Sequence, residues 1–432
     1  MLNILKRSTL FDRLARRPPV LYGRARRMIE AFDAMDAGQR EAAQAERLER
    51  VLADAEQTGF YAGAGLRDLS CAPLLRKEDV RQAETAFQRA IAVPRSPAAT
   101  GGTTGAPLRL TRSPGQVVFE QALVDHLIAL AGVEPTAVRS AVMRGDAIKP
   151  VDAMGPPYWT ILGVDRALVS AHHLTSETYP DYERFLETFR PSILHAYPSA
   201  LEQLTTFAEE RGGGPPLRLV FTSSEQLPTG LRARVKAAFG ADLLDFYGQA
   251  ERVCAAWSLR DGEFWFRPDY GAVEFRDGPA GVRLIGTGLH NRAQILLRYD
   301  TGDLAVLGPH ASPERRRLMA LGLAPFEGVS GRQSEYIELP DGARIIGLNH
   351  VPRGVEGASS IQILQDGPSR VRLRVVPNAR YGEATRQRIE ANLRLKAPLS
   401  VVVDYEIAGA PYRLPNGKAP LFVDLRGRGP SV

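Results

Sequence analysis

Two periods of apolar spacing run along this chain, and they predict where helices and strands fall. From Ala37 to Gln57, strong helix formers place Leu48, Val51, Leu52 and Ala55 on one stripe, which predicts a packing helix. Thr58-Gly59 and Gly63-Ala64-Gly65 break it, and Pro73–Val80 reads as a loop feeding a short helix. Helical spacing returns at 114–131, 181–190 and 229–239, alternating with strand-like runs at Leu217–Thr222 and Leu243–Tyr247. Such alternation argues for a layered α/β body.

After residue 260 the texture changes. Glu263–Phe266, Gly271–Phe275, Val282–Ile285 and Ile295–Tyr299 are short β-like runs between Gly, Pro and Asp, which predict a β subdomain closing the body, followed by a polar loop at 308–317. Ile361–Leu364, Val371–Val376, a helix from about Gly382 to Leu395 and Val401–Ile407 then give hairpin, helix and strand. The expected fold class is α/β: a large layered α/β N-terminal body with a β subdomain over 1–333, and a small α+β C-terminal lid domain over 334–432. No internal repeat is present.

Composition narrows the class of protein. At 432 residues the chain exceeds one ordinary core, and no apolar run approaches the roughly 18 residues of a membrane span. Basic residues are scattered through the first twenty positions, unlike a secretory leader, so the expectation is a cytoplasmic protein. Cys71 and Cys254 lie far apart and form no Cys-x-x-Cys, which leaves a metal, where there is one, to oxygen ligands. The net charge of +6 comes from 49 Arg and 6 Lys against 49 acidic residues, a dilute excess. Arg7, Arg13, Arg16, Arg17, Arg24, Arg26 and Arg27 form its densest cluster. Without interleaved aromatics or a reading module, these arginines predict a solvated helix face and no nucleic-acid partner, while an anionic ligand such as a nucleotide stays compatible.

The most unusual stretch is Thr100-Gly101-Gly102-Thr103-Thr104-Gly105. Its glycines let backbone N–H groups approach an anion and its threonines add hydroxyl donors, the makings of a phosphate cradle without the Gly-Lys-Ser/Thr of a Walker loop. This loop resembles the phosphate-binding signature of the adenylate-forming enzymes. Four further elements are similar to that superfamily's in the same order: Tyr247-Gly248-Gln249-Ala250-Glu251, Thr301-Gly302-Asp303, Gly331-Arg332 and Gly417-Lys418. His173-Leu174-Thr175, Tyr197-Pro198-Ser199 and Ser223-Ser224-Glu225 narrow the resemblance to the phenylacetate-CoA ligase group, and within it to the capsular-polysaccharide-biosynthesis CapK-like branch, over roughly 70–425.

The resemblance implies an AMP-forming ligase that uses ATP and Mg²⁺ to join a small-molecule carboxylic acid to AMP. Thr100, Gly101, Gly102, Thr103, Thr104 and Gly105 would hold the phosphates, Ser223, Ser224 and Glu225 the adenine edge, and Tyr247 with Gly248 the adenine ring. Asp303 would take the ribose hydroxyls and Arg332 the ribose or phosphate. Glu251 would be the metal ligand, and Lys418, on a swinging lid, the cation that engages carboxylate and α-phosphate, with a hinge at Ser334. The acid pocket would involve Trp159, His173, Tyr197, Ser199 and Val220, with His172 pointing elsewhere. The acyl acceptor is expected to be a thiol such as CoA or a carrier protein. An amine or alcohol acceptor in natural-product or surface-polymer assembly is the alternative, as is a nucleotide-binding homologue without catalysis; a homodimer stays open.

Two departures weaken the match. Leu108 stands where many relatives carry Lys, and Ala250 where they carry a hydroxyl residue. Losing one such donor costs on the order of 2–3 kcal/mol of transition-state stabilisation unless another group replaces it. Gln249 and Arg252 are the expected substitutes.

Overall fold

The computed structural model describes residues 15–90, 94–99, 108–144, 148–149, 153, 155–171, 173–174, 177–224, 227, 230–279, 281–309, 311–330, 337–340, 344–345, 348, 351–352, 354–377, 380–409, 412 and 421–426. The chain divides into two compact units, one within 1–98 and 109–331, the other within 99–108 and 332–432.

The larger unit opens with helices α1 (Pro19–Asp33) and α2 (Ala37–Ala55). A capping box starts α2: the Asp36 carboxylate accepts from the Gln39 N–H, and the Gln39 side chain accepts from the Asp36 N–H. The expected stripe faces inward, with Val51, Leu52 and Ala55 buried. Helix α3 (Lys77–Gln82) and strands β1 (Ser96–Ala99) and β2 (Arg109–Arg112) lead to α4 (Pro114–Leu130).

An eight-stranded sheet follows, built from β3 (Ser140–Arg144), β4 (Trp159–Leu162), β5 (Arg166–Ser170), β6 (Ile193–Ala196), β7 (Leu219–Ser223), β8 (Asp242–Gly248), β9 (Ala255–Arg260) and β10 (Glu263–Phe266). Their order is β10-β9-β8-β7-β6-β3-β5-β4, parallel from β8 to β5 and antiparallel at both margins. Helices α5 (Tyr179–Phe189), α6 (Pro198–Glu210) and α7 (Leu231–Phe239) connect the parallel strands. Ala141, Met143, Leu194 and Val220 join one core with these helices, while Ile193, Leu219, Phe221 and Phe246 join a second with α1 and α4. The period of two therefore sends alternate residues to different cores.

A four-stranded antiparallel sheet, β11 (Gly271–Gly278), β12 (Gly281–Gly288), β13 (Tyr299–Val306) and β14 (Gly328–Ser330), completes this unit. Two expectations change here. The run Ile295–Arg298 is buried or half-buried but not a strand, because its N–H groups bond to scattered acceptors: Ile295 to the Phe87 carbonyl, Leu297 to the Tyr61 hydroxyl and Arg298 to Thr287 Oγ1. Within the expected polar loop at 308–317 a helix begins, α8 (Pro313–Ala320), started by the Ser312 side chain, which accepts from the Arg315 N–H, and by Pro313 in its first turn.

In the smaller unit, β15 (Ile337–Glu338) pairs with β16 (Arg344–Ile345). A second sheet has the order β19-β18-β17-β20, from β17 (Ala358–Gly367), β18 (Arg370–Pro377), β19 (Val402–Ile407) and β20 (Phe422–Asp424). Helix α9 (Glu383–Arg394) crosses from β18 to its parallel neighbour β19, and Ile389 and Leu393 pack on Ile363, Leu373 and Val375.

No helix among the described residues is long and apolar enough to cross a membrane.

Candidate functional site

At the C-terminal ends of the parallel strands, two segments far apart in sequence meet. Strand β8 ends at Tyr247-Gly248, and the turn that follows carries Glu251. From β13, the Tyr299 hydroxyl donates to Glu251 Oε1 at 2.7 Å. The Tyr247 hydroxyl donates in the other direction, to Asp303 Oδ2 at 2.8 Å. Two tyrosine–carboxylate bonds thus fasten the Tyr247–Glu251 element to the Thr301–Asp303 element. Burial first, then Cys254 and Asp303, holds the Tyr247 hydroxyl well above the usual phenol range, so it is a donor.

Local geometry explains how Asp303 reaches this point. Against β12, the register slips between Arg283 and Ile285, so that residues 301–303 bulge from β13. Gly302 has φ +76°, a conformation that glycine adopts freely, and Thr301 Oγ1 accepts from the Asp303 N–H at 3.1 Å. The turn after Glu251 is held just as closely. A Cβ on Gly286 would lie 2.7 Å from Val253 Cγ2, and one on Gly271 would run into the Val253 carbonyl. Arg252 and Ser224 both have positive φ, 56° and 74°, a strained conformation for side chains of their kind.

Beside this junction opens a cavity of about 650 Å³, roofed by α4 and floored by one face of the eight-stranded sheet. Ser223, Ser224, Gly248, Gln249 and Ala250 form one end of it. Ser223 and Ser224 face each other with hydroxyls 3.3 Å apart. Behind Ala250 stand two arginines. Arg112 Nη2 donates to the Ala250 carbonyl at 2.8 Å, and Arg252 Nε pairs with Glu120 at 2.7 Å. Arg112 Nε and Arg252 Nη1 are buried without hydrogen-bond partners among the described residues. Burial, then the neighbouring Arg252, pushes the Arg112 guanidinium below its usual value. Gln249, one expected substitute for the missing hydroxyl, is committed elsewhere: its amide donates to Cys254 Sγ at 3.1 Å and accepts from the Cys254 N–H at 3.4 Å.

The expected acid pocket does not line this cavity. Val220 is fully buried in the core of α5, α6 and α7, on the other face of the sheet, where Trp159 and Tyr197 also pack. The Trp159 ring lies 4.6 Å from Phe185. His173 is buried too, bonded through Nδ1 to Ser170 Oγ at 2.7 Å and stacked on Tyr158. Ser199 is in the first turn of α6. Thr100, Gly101, Gly102, Thr103, Thr104, Gly105, His172, Glu225, Arg332, Ser334 and Lys418 lie outside the described residues. Leu108 is fully buried.

The arginine cluster is corrected in part. Arg24 and Arg27 are exposed on α1, but Arg16 and Arg17 line the cavity. Arg17 grips Asp125 with two bonds of 2.6 and 2.8 Å, and Tyr22 and Gln121 donate to the same carboxylate. Arg112, Arg144, Arg166 and His195, absent from the sequence reading, also face this space. Their signal in the sequence is a charged or polar residue inside or at the end of a short apolar strand, as in Ile193-Leu194-His195-Ala196.

No group of three or more His, Cys, Asp or Glu side chains that could hold a metal ion occurs among the described residues. A lone carboxylate such as Glu251, with one oxygen engaged by Tyr299, suits a magnesium ion carried in largely by phosphates.

Comparison with known proteins gives the fold. No family model matches the sequence. The chain is 23% identical to Protein CapK of Staphylococcus aureus over 209 residues, 47% of this chain and 46% of that protein, so the likeness spans about half of the relative's length. It superimposes on a structure of 2-hydroxyisobutyryl-CoA ligase in complex with 2-HIB-AMP and CoA in the thioesterification state with a TM-score of 0.52 and 20% identity, covering 90% of each chain. The same ligase in its postadenylation state with 2-HIB-AMP gives a TM-score of 0.48 at 19% identity, again over 90% of each chain. The α/β architecture described above is the fold of that ligase.

Proposed function

We propose that the protein is an ATP-dependent ligase that activates a carboxylic acid as its adenylate and passes the acyl group to a thiol such as CoA. The observation that carries this reading is the junction of Tyr247, Glu251 and Asp303, made by segments about fifty residues apart. The resemblance of those segments to the adenylate-forming signatures supports it, as does the fold shared with a ligase solved with an acyl-AMP and CoA.

The chemical obstacle is like charge, because a carboxylate must approach the α-phosphate of a triphosphate. Catalysis is then largely positioning and neutralisation. On this reading Asp303, oriented by Tyr247, accepts from the ribose hydroxyls, and Ser223, Ser224 and Glu225 border the adenine. Glu251, held by Tyr299, supplies oxygen to a magnesium ion, whose chemistry is to neutralise charge on the phosphates. Arg112 and Arg252 stand behind Ala250, where relatives place a hydroxyl; their buried N–H groups supply the donor and the charge that Ala250 and Leu108 do not. The Thr100–Gly105 loop remains the proposed pyrophosphate cradle, with Arg332 and Lys418 as the cations of a lid that closes for adenylation.

ATP–pyrophosphate exchange over a panel of acids tests the reading. Exchange is expected with at least one acid, and Glu251→Gln is expected to lower it by about a hundredfold. A protein that binds ATP and exchanges with no acid is the non-catalytic homologue instead. Product analysis with CoA and with simple amines then assigns the acceptor: thioester sustains the proposal, and amide without thioester replaces it.

A further inference from the structure

Arginine is an unexpected residue at position 252. Its backbone has φ +56°, where glycine is at ease and a side chain is strained, and such strain persists only where the surroundings over-determine it. Here they do. The Arg252 N–H donates to the Gln249 carbonyl at 3.1 Å, and β12 runs so close that a Cβ on Gly288 would lie 3.2 Å from the Arg252 carbonyl oxygen. The turn after β8 is therefore set by its backbone, which glycine would serve better than arginine. What position 252 requires is the side chain.

That side chain runs to α4. It is only 10% exposed, and its Nε lies 2.7 Å from Glu120 Oε2. The same oxygen accepts from the hydroxyl of Tyr270, the residue before β11. Tyr270 is itself buried, and burial, then Glu120, holds its hydroxyl well above the usual phenol range, so it stays a donor. One carboxylate oxygen thus joins three segments: α4, the lead into β11 and the turn after β8. Nε–H and Nη1 lie on different edges of a planar guanidinium, so a carboxylate that grips Nε turns Nη1 away from itself. Nη1 is buried and meets no hydrogen-bond partner among the described residues. A buried donor without a partner calls for an explanation, and an oxygen of a ligand supplies one.

The surroundings say which oxygen. Ala250, Arg112, Glu120, Arg252 and Tyr270 border one cavity. Arg112 braces the turn, because its Nη2 is engaged by the Ala250 carbonyl at 2.8 Å. In a nucleotide the α-phosphate lies between the ribose, assigned above to Asp303, and the outer phosphates, assigned with magnesium to Glu251. Arg252 directly follows Glu251, and Ala250, on its other side, has no hydroxyl to offer. Resting on the ligase reading above, we infer that Glu120 is a positioning residue: with Tyr270 it fixes the Arg252 guanidinium so that Nη1 donates to an α-phosphoryl oxygen of the nucleotide. Arg252 touches the phosphate, and Glu120 acts through Arg252.

Calorimetric titration of the full-length protein with AMP and with adenosine, which lacks the phosphate, reads this contact without acid or turnover. The wild type is expected to bind AMP more tightly than adenosine by about tenfold or more, Arg252→Gln to lose most of that preference and Glu120→Gln a smaller part. The decisive protein carries both changes: because Glu120 acts through Arg252, Glu120→Gln is expected to change nothing further once Arg252→Gln is in place. Tyr270→Phe, which removes one donor from the same oxygen, is expected to follow the same rule and takes the place of Glu120→Gln if that variant's melting temperature shows it unfolded. The inference is overturned by AMP that binds no better than adenosine, by a preference that survives Arg252→Gln, or by a loss from Glu120→Gln that is equal with and without Arg252. Pyrophosphate exchange, measured in parallel, separates the two readings. Exchange by the wild type beside any of those three results defeats the inference alone; exchange with no acid defeats the ligase reading, and the AMP titrations then decide the phosphate contact by themselves.

Discussion

The two faces of the eight-stranded sheet are made by the same short strands, yet they differ in chemistry. Toward α5, α6 and α7 the strands present Ala141, Met143, Leu194, Ala196 and Val220, all buried in a continuous apolar core. Toward α4 they present Ile193 and Phe221, but also Ser140, Arg144, Arg166 and His195 around a cavity. One face is filled by apolar side chains, and the other borders a cavity lined in part by charged and polar ones. The difference bears on stability: removing atoms from the first face leaves a hole, whereas the second already borders one.

The largest effect is expected on the filled face. Phe239, fully enclosed at the end of α7, is a member of that core, and Phe239→Ala is expected to cost about 3–5 kcal/mol. Denaturant unfolding measures it, and activity per folded molecule is expected to hold. A cost below about 1 kcal/mol would mean that this face is not the rigid one.

A smaller effect sharpens the contrast through the polar pair on the same apolar side. Asp245 is buried and accepts from Thr222 Oγ1 at 2.7 Å. Burial raises its carboxyl to about 6, against the lowering influence of Thr222 and Arg232. The folded state therefore binds this proton more tightly than the unfolded chain does. The stability it contributes is complete below about pH 4, falls as the pH rises toward 6, and is absent above. Asp245→Asn, which keeps an acceptor for Thr222, is expected to stabilise the protein by on the order of 2 kcal/mol at neutral pH and by progressively less as the pH falls to 4. Melting temperatures of the two proteins across that range check it. A gain independent of pH would mean that the carboxyl is not the source.

Much of the architecture was legible because long amphipathic helices and well-spaced strands announce themselves. The helix of Ala37–Ala55, the strands at Leu219–Ser223 and Asp242–Gly248, and the β17–α9–β19 succession follow from apolar period and residue propensity. Strands β3 to β6 escaped notice for a physical reason: each has only four or five residues, and Arg144, Arg166 and His195 interrupt their apolar pattern because they face a cavity. The same residues line the cavity and have no counterpart in the sequence reading. Tyr247, Glu251 and Asp303 were readable because a backbone motif fixes each in its turn. An aromatic residue such as Trp159, which packs on Phe185, looks the same in sequence whether it fills a core or lines a site. The arginine-rich start of the chain misled in a similar way, since Arg17 faces inward onto Asp125.

The most direct test of acid activation at the Tyr247–Asp303 junction is a mass spectrum of the protein incubated with ATP, Mg²⁺ and the acid that gives the fastest pyrophosphate exchange. An acyl-AMP retained by the wild type and lost in Asp303→Ala is the predicted result. An acyl-AMP formed equally by Asp303→Ala, or none formed by the wild type with any acid, would contradict the assignment of that junction as the adenylating centre.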